Sequence, residues 1–293
     1  MGRKGIIYNA FGLNWHSDIL SIPELYKSNE YNIHVSIKTA INNLVKNKSY
    51  LQVSNQDSTF YVQNLAKFRI LNNNKIINNN IDKKNNHLVR SYLLGTAMAG
   101  ILTQRNLLLL HANALEKEGK VIICMGKSGI GKSTISYLLM KKGWKLLSDD
   151  LVAIDDNHMV LPGIPRIKLW KDTIDAFKLD ITKLKNLPYY KDKFVIDRKY
   201  IKASFSSNKL SEVYYLDNGI NFSYSKPLKV ENATERMLYL KRNIYRPELI
   251  KGMKNEYSFF LKLTDLAKKL PLYIMNIPRD LFILKKIINE NFD

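Results

Sequence analysis

The sequence predicts an α/β protein, a phosphate-loop core with a smaller strand-rich domain in front of it. Three observations predict this. Residues 126–134 read GKSGIGKST, which completes the pattern G-x-x-x-x-G-K-[ST] at Gly126, Gly131, Lys132 and Ser133. A short apolar run over 121–125 leads into that loop, and apolar residues at helical spacing over 134–140 leave it. The first 88 residues break into short segments of strand character, whereas the C-terminal part returns to helical spacing.

In chain order, strand character falls on 4–13, 33–37, 50–53, 59–62, 67–71 and 75–77, with Asn72-Asn73-Asn74 as a hairpin turn between the last two. Residues 78–87, NNNIDKKNNH, are low in complexity and read as an exposed linker. The expected division is therefore a strand-rich N-terminal domain over 1–88 and a catalytic domain over 89–293. Over 88–104 the apolar residues recur at helical spacing, which predicts a helix packed beneath the catalytic sheet. The helix after the loop ends at Lys141-Lys142-Gly143, a basic last turn followed by glycine. A strand over 145–148 ends in Asp149-Asp150. Further strands are expected at 212–216, 221–224 and 272–275, and helices at 234–240, 258–268 and 280–291.

The loop motif has a mechanism. Glycines let backbone N–H groups turn in around phosphates at a helix N-terminus; the lysine reaches the terminal phosphates and the following hydroxyl binds Mg²⁺. A strand that returns after one crossover helix lies close to its predecessor, which puts Asp149-Asp150 near the loop. Carboxylates there hold Mg²⁺ or accept a proton from an attacking hydroxyl. The same pair also suits an ordinary acidic turn. His111 follows the apolar run 107–110 and suits either a structural role at a strand end or proton handling near neutrality. Arg166, in the turn PGIPR, and Arg246, in YRP, are candidate phosphate clamps, and Lys193 is a weaker one. A guanine-reading N-K-x-D motif is absent, as is an L-S-G-G-Q signature, which argues against a GTPase and a transport ATPase.

The layout from His111-Ala112-Asn113-Ala114 through the loop to Ser148-Asp149-Asp150 resembles the catalytic domain of HPr serine kinase/phosphorylase. The segments YNAFGLNWHSDILSIPEL (8–25), RSYLLGTAMAGILTQRNLLLLHANAL (90–115), PGIPRIKLW (162–170), RNIYRPEL (242–249) and PLYIMNIPRDL (271–281) resemble the HPr-kinase-like enzymes of peptide natural-product clusters, among them lasso-peptide kinases. The resemblance implies a phosphate-loop kinase core of the HPr kinase/PEP carboxykinase-like type. It implies that Gly126, Lys127, Ser128, Gly129, Ile130, Gly131, Lys132, Ser133 and Thr134 bind ATP. Asp149 is then the general base, with His111 and Lys132 also in the catalytic set, and Ser133 and Asp150 hold Mg²⁺. As arginine clamps read from residue type, Arg166 would join the catalytic set and Arg246 the ATP site. The segment R-G-L-G-x-I-N that such kinases carry after the acidic pair is missing here, which argues against HPr as substrate.

Composition sets the outer limits. The chain has 293 residues, enough for one or two domains with a core. Its single cysteine, Cys124, excludes a disulfide framework and a cysteine-based zinc site. The start MGRKGIIYNAFGL shows no secretory signal, and the most apolar stretch, 93–110, is interrupted by Gln104-Arg105-Asn106 before it reaches the roughly 20 residues of a membrane span. A cytoplasmic enzyme is expected, with no membrane and no nucleic-acid partner. The net charge of +20 is scattered along the chain and permits an acidic or phosphorylated ligand. The expected activity is an ATP- and Mg²⁺-dependent kinase acting on a serine of a ribosomal precursor peptide, and a homo-oligomer is compatible with the sequence. The rival readings are a phosphate-loop ATPase that handles such a peptide without modifying it, and a kinase for a small hydroxylated metabolite.

Overall fold

The computed structural model describes residues 5–18, 21–30, 32–40, 48–80, 86–180, 182, 184–186, 192–196, 198–219 and 226–292. They fall into two units, Met1–Leu109 with Ile244–Lys262, and Leu110–Asn243 with Leu263–Asp293. The expected division at 88/89 is thus drawn later in the chain, and a C-terminal segment joins the first unit.

The first unit is built on an eight-stranded sheet, ordered β3-β1-β2-β4-β8-β7-β6-β5. Its strands are β1 (Ile6–Ala10), β2 (Leu13–Ser17), β3 (Tyr26–Lys27), β4 (Val35–Thr39), β5 (Tyr50–Gln52), β6 (Asp57–Val62), β7 (Ala66–Leu71) and β8 (Lys75–Asn80). The segment 4–13, read as one strand, is broken at Phe11-Gly12, whose φ of 55° and 67° turn β1 back onto β2. Asn72 and Asn73 take φ of 47° and 51° and make the expected hairpin turn, because asparagine tolerates the left-handed region. In β7 the alternation is plain: Ala66, Phe68 and Ile70 are buried while Lys67 and Arg69 face outward. β8 runs on through Asn80, so the start of the expected linker is strand; residues 81–85 lie outside the described residues.

α1 (Asn86–Tyr92), a π-helical turn (Leu93–Ala97) and α2 (Met98–Gln104) form the expected helix. By its contacts it belongs to the first unit. The Tyr92 ring lies 5.5 Å from that of Phe60 on β6. A Cβ on Gly100 would come within 2.6 Å of Ile70 on β7, so glycine permits a close approach of helix to sheet. The chain then enters β9 (Leu108–Leu110), so the apolar stretch 93–110 is no continuous helix. Among the described residues no helix is long and apolar enough to cross a membrane.

The second unit carries the loop. Its main sheet includes β10 (Ala112–Lys117), β11 (Lys120–Gly126), β12 (Lys145–Ser148), β13 (Val152–Ile154), β14 (Met159–Leu161) and β18 (Asn208–Asp217), in the order β12-β10-β11-β18-β14-β13. A small ribbon, β15 (Lys168–Trp170), β16 (Leu184–Asn186) and β17 (Lys193–Ile196), pairs in the order β15-β17-β16. α3 (Lys132–Lys141) follows the loop, α4 (Lys171–Ala176) follows β15, and β19 (Leu228–Lys229) and α5 (Ala233–Arg242) come after β18. The expected strand at 221–224 lies outside the described residues. α6 (Pro247–Gly252) and the start of α7 (Glu256–Lys269) belong to the first unit, and β20 (Leu272–Asn276) and α8 (Leu281–Asn291) complete the second. α6 was not expected from the sequence; Pro247 begins it, at a position where a missing N–H costs nothing.

β12 does not sit beside β11. β10 lies between them, pairing Leu115 with Ile122 on one side and Leu146 on the other. Since both neighbours run antiparallel to β10, β11 and β12 point the same way and deliver loop and acidic pair to one edge of the sheet. Parallel to β11 runs β18, and parallel to β18 runs β20. The core of this unit packs α3 and α8 on the sheet through Leu139, Ile135, Leu284 and Ile287 against Ile122 and Leu146.

Candidate active site

The loop is shaped by its glycines. Gly126 takes φ 148°, and a Cβ there would lie 2.7 Å from the Leu216 carbonyl oxygen on β18. Gly131 takes φ 109° as the N-cap of α3, with no side chain capping the helix, so the first-turn N–H groups stay available to an anion. Lys132 is 8% exposed and donates from Nζ to the carbonyls of Gly126 (2.7 Å) and Lys127 (3.1 Å). Burial lowers its pKa, and Asp150 and Asp149 oppose that. The ammonium is held by the loop's own backbone, in position to exchange carbonyls for phosphate oxygens.

The acidic turn is held from the same helix. Asp150 has φ 74°, uncommon for a residue with a side chain. Its N–H donates to Asn113 Oδ1 (3.2 Å), Asn113 Nδ2 donates to Ser136 Oγ (2.9 Å), and that hydroxyl donates to the Lys132 carbonyl (3.0 Å). Asn113 and Ser136 are buried, so the chain of bonds is a fixed strut between α3 and the turn.

The two carboxylates differ. Asp149 is 3% exposed and accepts from Ser133 Oγ at 3.4 Å. Burial, then the neighbouring Asp150 charge, pushes its carboxyl up to about 6. Burial also works against the Asp150 charge, but Lys168, His111 and Arg166 outweigh it and hold that carboxyl well below the usual range. The Asp150 oxygens lie 3.2 Å from Lys168 Nζ and 3.3 Å from His111 Nδ1. Burial lowers the His111 pKa against the pull of Asp150. The imidazole is set by its main chain, whose N–H donates to the Asn243 carbonyl at 2.7 Å.

One cavity of about 260 Å³ gathers His111, Lys132, Ser133, Asp149 and Asp150, with Ser128, Gly129, Gly131 and Thr134 of the loop. These are residues the sequence singled out. Lys127 and Ile130 face a second cavity of about 400 Å³ on another flank of the loop, walled by Ile277, Pro278, Leu281 and Leu284 with Asn218 and Arg279. Arg166 does not line the first cavity, yet its charge favours the ionised form of both aspartates, and its buried Nε–H has no partner among the described residues. Arg246 belongs to the first unit, where it takes φ 51° ahead of α6, and it lines neither cavity.

Sequence reasoning missed Lys168, Asn113, Trp170 and Thr173. Lys168 and Trp170 share one face of β15 by strand alternation and line the first cavity, as does Leu169 between them, itself 1% exposed. Lys193 lines it too, with Nζ 4.9 Å from the Trp170 ring centroid. The only sequence cue to the strut was Asn113 in HANA, two positions after His111.

Among the described residues no group of three or more His, Cys, Asp or Glu gathers around a metal. Ser133 and the acidic pair do fit Mg²⁺, which takes few protein oxygens and fills its shell with phosphate and water.

No family model and no curated protein matches this chain. Among solved structures it is similar to the Hpr(Ser) kinase/phosphatase from Coxiella burnetii, at 14% identity and a TM-score of 0.33, over 62% of this chain and 93% of that one. A likeness at that score carries no argument, and the reading of this mixed α/β chain rests on the geometry of its own site.

Proposed function

We propose that the chain is an ATP- and Mg²⁺-dependent kinase that moves a γ-phosphoryl group to a serine hydroxyl, with a ribosomal precursor peptide of the lasso type as acceptor. One observation carries the kinase reading: a phosphate loop and a buried carboxylate of raised proton affinity open into one cavity. The loop backbone and Lys132 hold the phosphates, and the apolar second cavity takes the nucleoside. Ser133 and Asp150 hold Mg²⁺, which supplies charge neutralisation on the phosphates when bound. Asp149 accepts the hydroxyl proton, and a carboxyl near 6 is closer to that task at neutral pH than one at its ordinary value of 3.8. His111 orients Asp150, and Arg166 steadies the charge of both carboxylates.

The acceptor rests on other ground. The loop says only that phosphate leaves a nucleotide; the sequence resemblance points to a precursor peptide, and the net charge of +20 favours an acidic one. The test is incubation with ATP·Mg²⁺ and the cognate peptide, read by mass spectrometry. One phosphate or more at serine, with HPr unmodified, is the expected result. Labelled HPr would point to the carrier kinase instead, and ATP hydrolysis with no labelled peptide would point to the ATPase reading.

A further inference from the structure

We propose that Lys168 is a catalytic cation, one that leaves Asp150 for the phosphoryl group as it passes from nucleotide to acceptor. This rests on the kinase reading above. The geometry has three parts. Lys132 enters the cavity from the loop, whereas Lys168 enters it from β15 of the small ribbon, so the two ammonium groups come from different elements. The base of the Lys168 side chain is fixed, because β15 pairs with β17 at Lys168–Val195 and Leu169–Phe194 and Leu169 is buried. The stem is free to swing about its rotatable bonds while the strand stays in place. Its present partner keeps a second one: Asp150 retains His111 at 3.3 Å when Lys168 moves away.

Charge makes the move favourable. A phosphoryl group in transit spreads negative charge over its three equatorial oxygens, and stabilising it is the main task of the site. Among the described residues lining this cavity the cations are Lys132, Lys168 and Lys193, with His111 when protonated, and no arginine is among them. Lys132 belongs to the loop, and Lys193 lies over Trp170. Lys168, with a side chain 18% exposed, is shielded from solvent, where an ammonium acts most strongly. In the step itself the acceptor oxygen bonds to the γ-phosphorus, and its proton passes to Asp149. The bond from that phosphorus to the bridging oxygen breaks, and its electron pair leaves with ADP. Lys168 donates hydrogen bonds throughout and neither gains nor loses a proton.

The test uses the full chain with ATP·Mg²⁺, water as acceptor, and ADP with aluminium fluoride as a mimic of the phosphoryl in flight. Lys168→Met should lower kcat for ATP turnover about 10²–10³-fold, the usual effect of removing one preorganised donor. Its ADP affinity should stay within about threefold, while its affinity for ADP with aluminium fluoride falls in step with kcat. Lys168→Arg, which keeps the charge and serves if the methionine variant melts early, should hold ADP normally and recover part of the affinity for the mimic. Undiminished binding of the mimic by Lys168→Met overturns the proposal, as does an equal loss of ADP and mimic in both variants. A wild-type chain that fails to bind ADP overturns the nucleotide reading itself.

Discussion

Cys124 lies on β11, the strand that ends in the loop, and is fully buried. Burial pushes its thiol up to about 12, and the thiolate is the reactive form. Native protein should therefore ignore iodoacetamide at neutral pH and label only after denaturation; native labelling at the pace of a free thiol would contradict the burial. Lys132→Ala should abolish turnover and weaken ATP binding by calorimetry, since the ammonium that now caps the Gly126 and Lys127 carbonyls is the one offered to the terminal phosphates. Asp149 allows a test with a sign. Its folded carboxyl sits near 6 against an ordinary 3.8, so ionising it in the folded state costs stability as pH rises from about 4 through 6. Asp149→Asn should thus melt higher than wild type at pH 7 without ligand, by up to about 3 kcal/mol, and the gain should vanish below pH 4. The same variant should still bind nucleotide and lose phosphoryl transfer by roughly 10²–10⁴-fold. Asp150→Asn should instead raise the Mg²⁺ requirement. A variant at 149 that melts like wild type at both pH values would remove the buried charge from the account.

At the scale of elements, legibility follows sequence distance. The loop could be read because strand, glycines, lysine and helix are contiguous, and the acidic pair because it ends the next strand. Lys168 could not be singled out among 46 Lys and Arg, because its meaning depends on β17 pairing with β15 and turning that face to the cavity. Arg246, a candidate clamp by sequence on the same footing as Arg166, belongs to the other unit. The intervening β10 was hidden for the same reason: one crossover helix implies proximity of β11 and β12, and only the antiparallel pairing of β10 with both shows the strand between. Asn113 is the most testable of the missed residues. It joins α3 to the acidic turn through one buried and one partly buried hydrogen bond, the second of which holds the left-handed Asp150. Asn113→Ala should cost roughly 1–3 kcal/mol in denaturant unfolding, since Ser136 Oγ and the Asp150 N–H each lose a partner. It should also lower turnover more than ATP affinity, because the loop is left intact. Equal loss of both would mean that Asn113 supports the whole unit and not the turn.

For the whole molecule, the low-complexity run before Leu88 reads as a linker because asparagine and lysine suit solvent, yet Asn78, Asn79 and Asn80 complete β8, and the helix that follows packs back on the same sheet. Composition marks where polar residues are, and strand pairing tolerates them where a neighbour supplies the hydrogen bonds. The consequence is a prediction about where the chain can be cut. A fragment beginning at residue 89 would strip β6 and β7 from the helix that follows them, whose Val89, Leu93 and Ile101 are fully buried in the intact chain. Exposing each such side chain costs about 1.5–3 kcal/mol, against a total stability of roughly 5–15 kcal/mol for an ordinary domain. Gly252 on α6 packs on Val53, so the C-terminal segment of the first unit loses its partner as well. In the fragment 89–293 the remainder of the first unit, 89–109 and 244–262, should therefore be cleaved rapidly by protease at sites that the full chain protects. A fragment in which those two segments stay protected would place an independent domain boundary near residue 88.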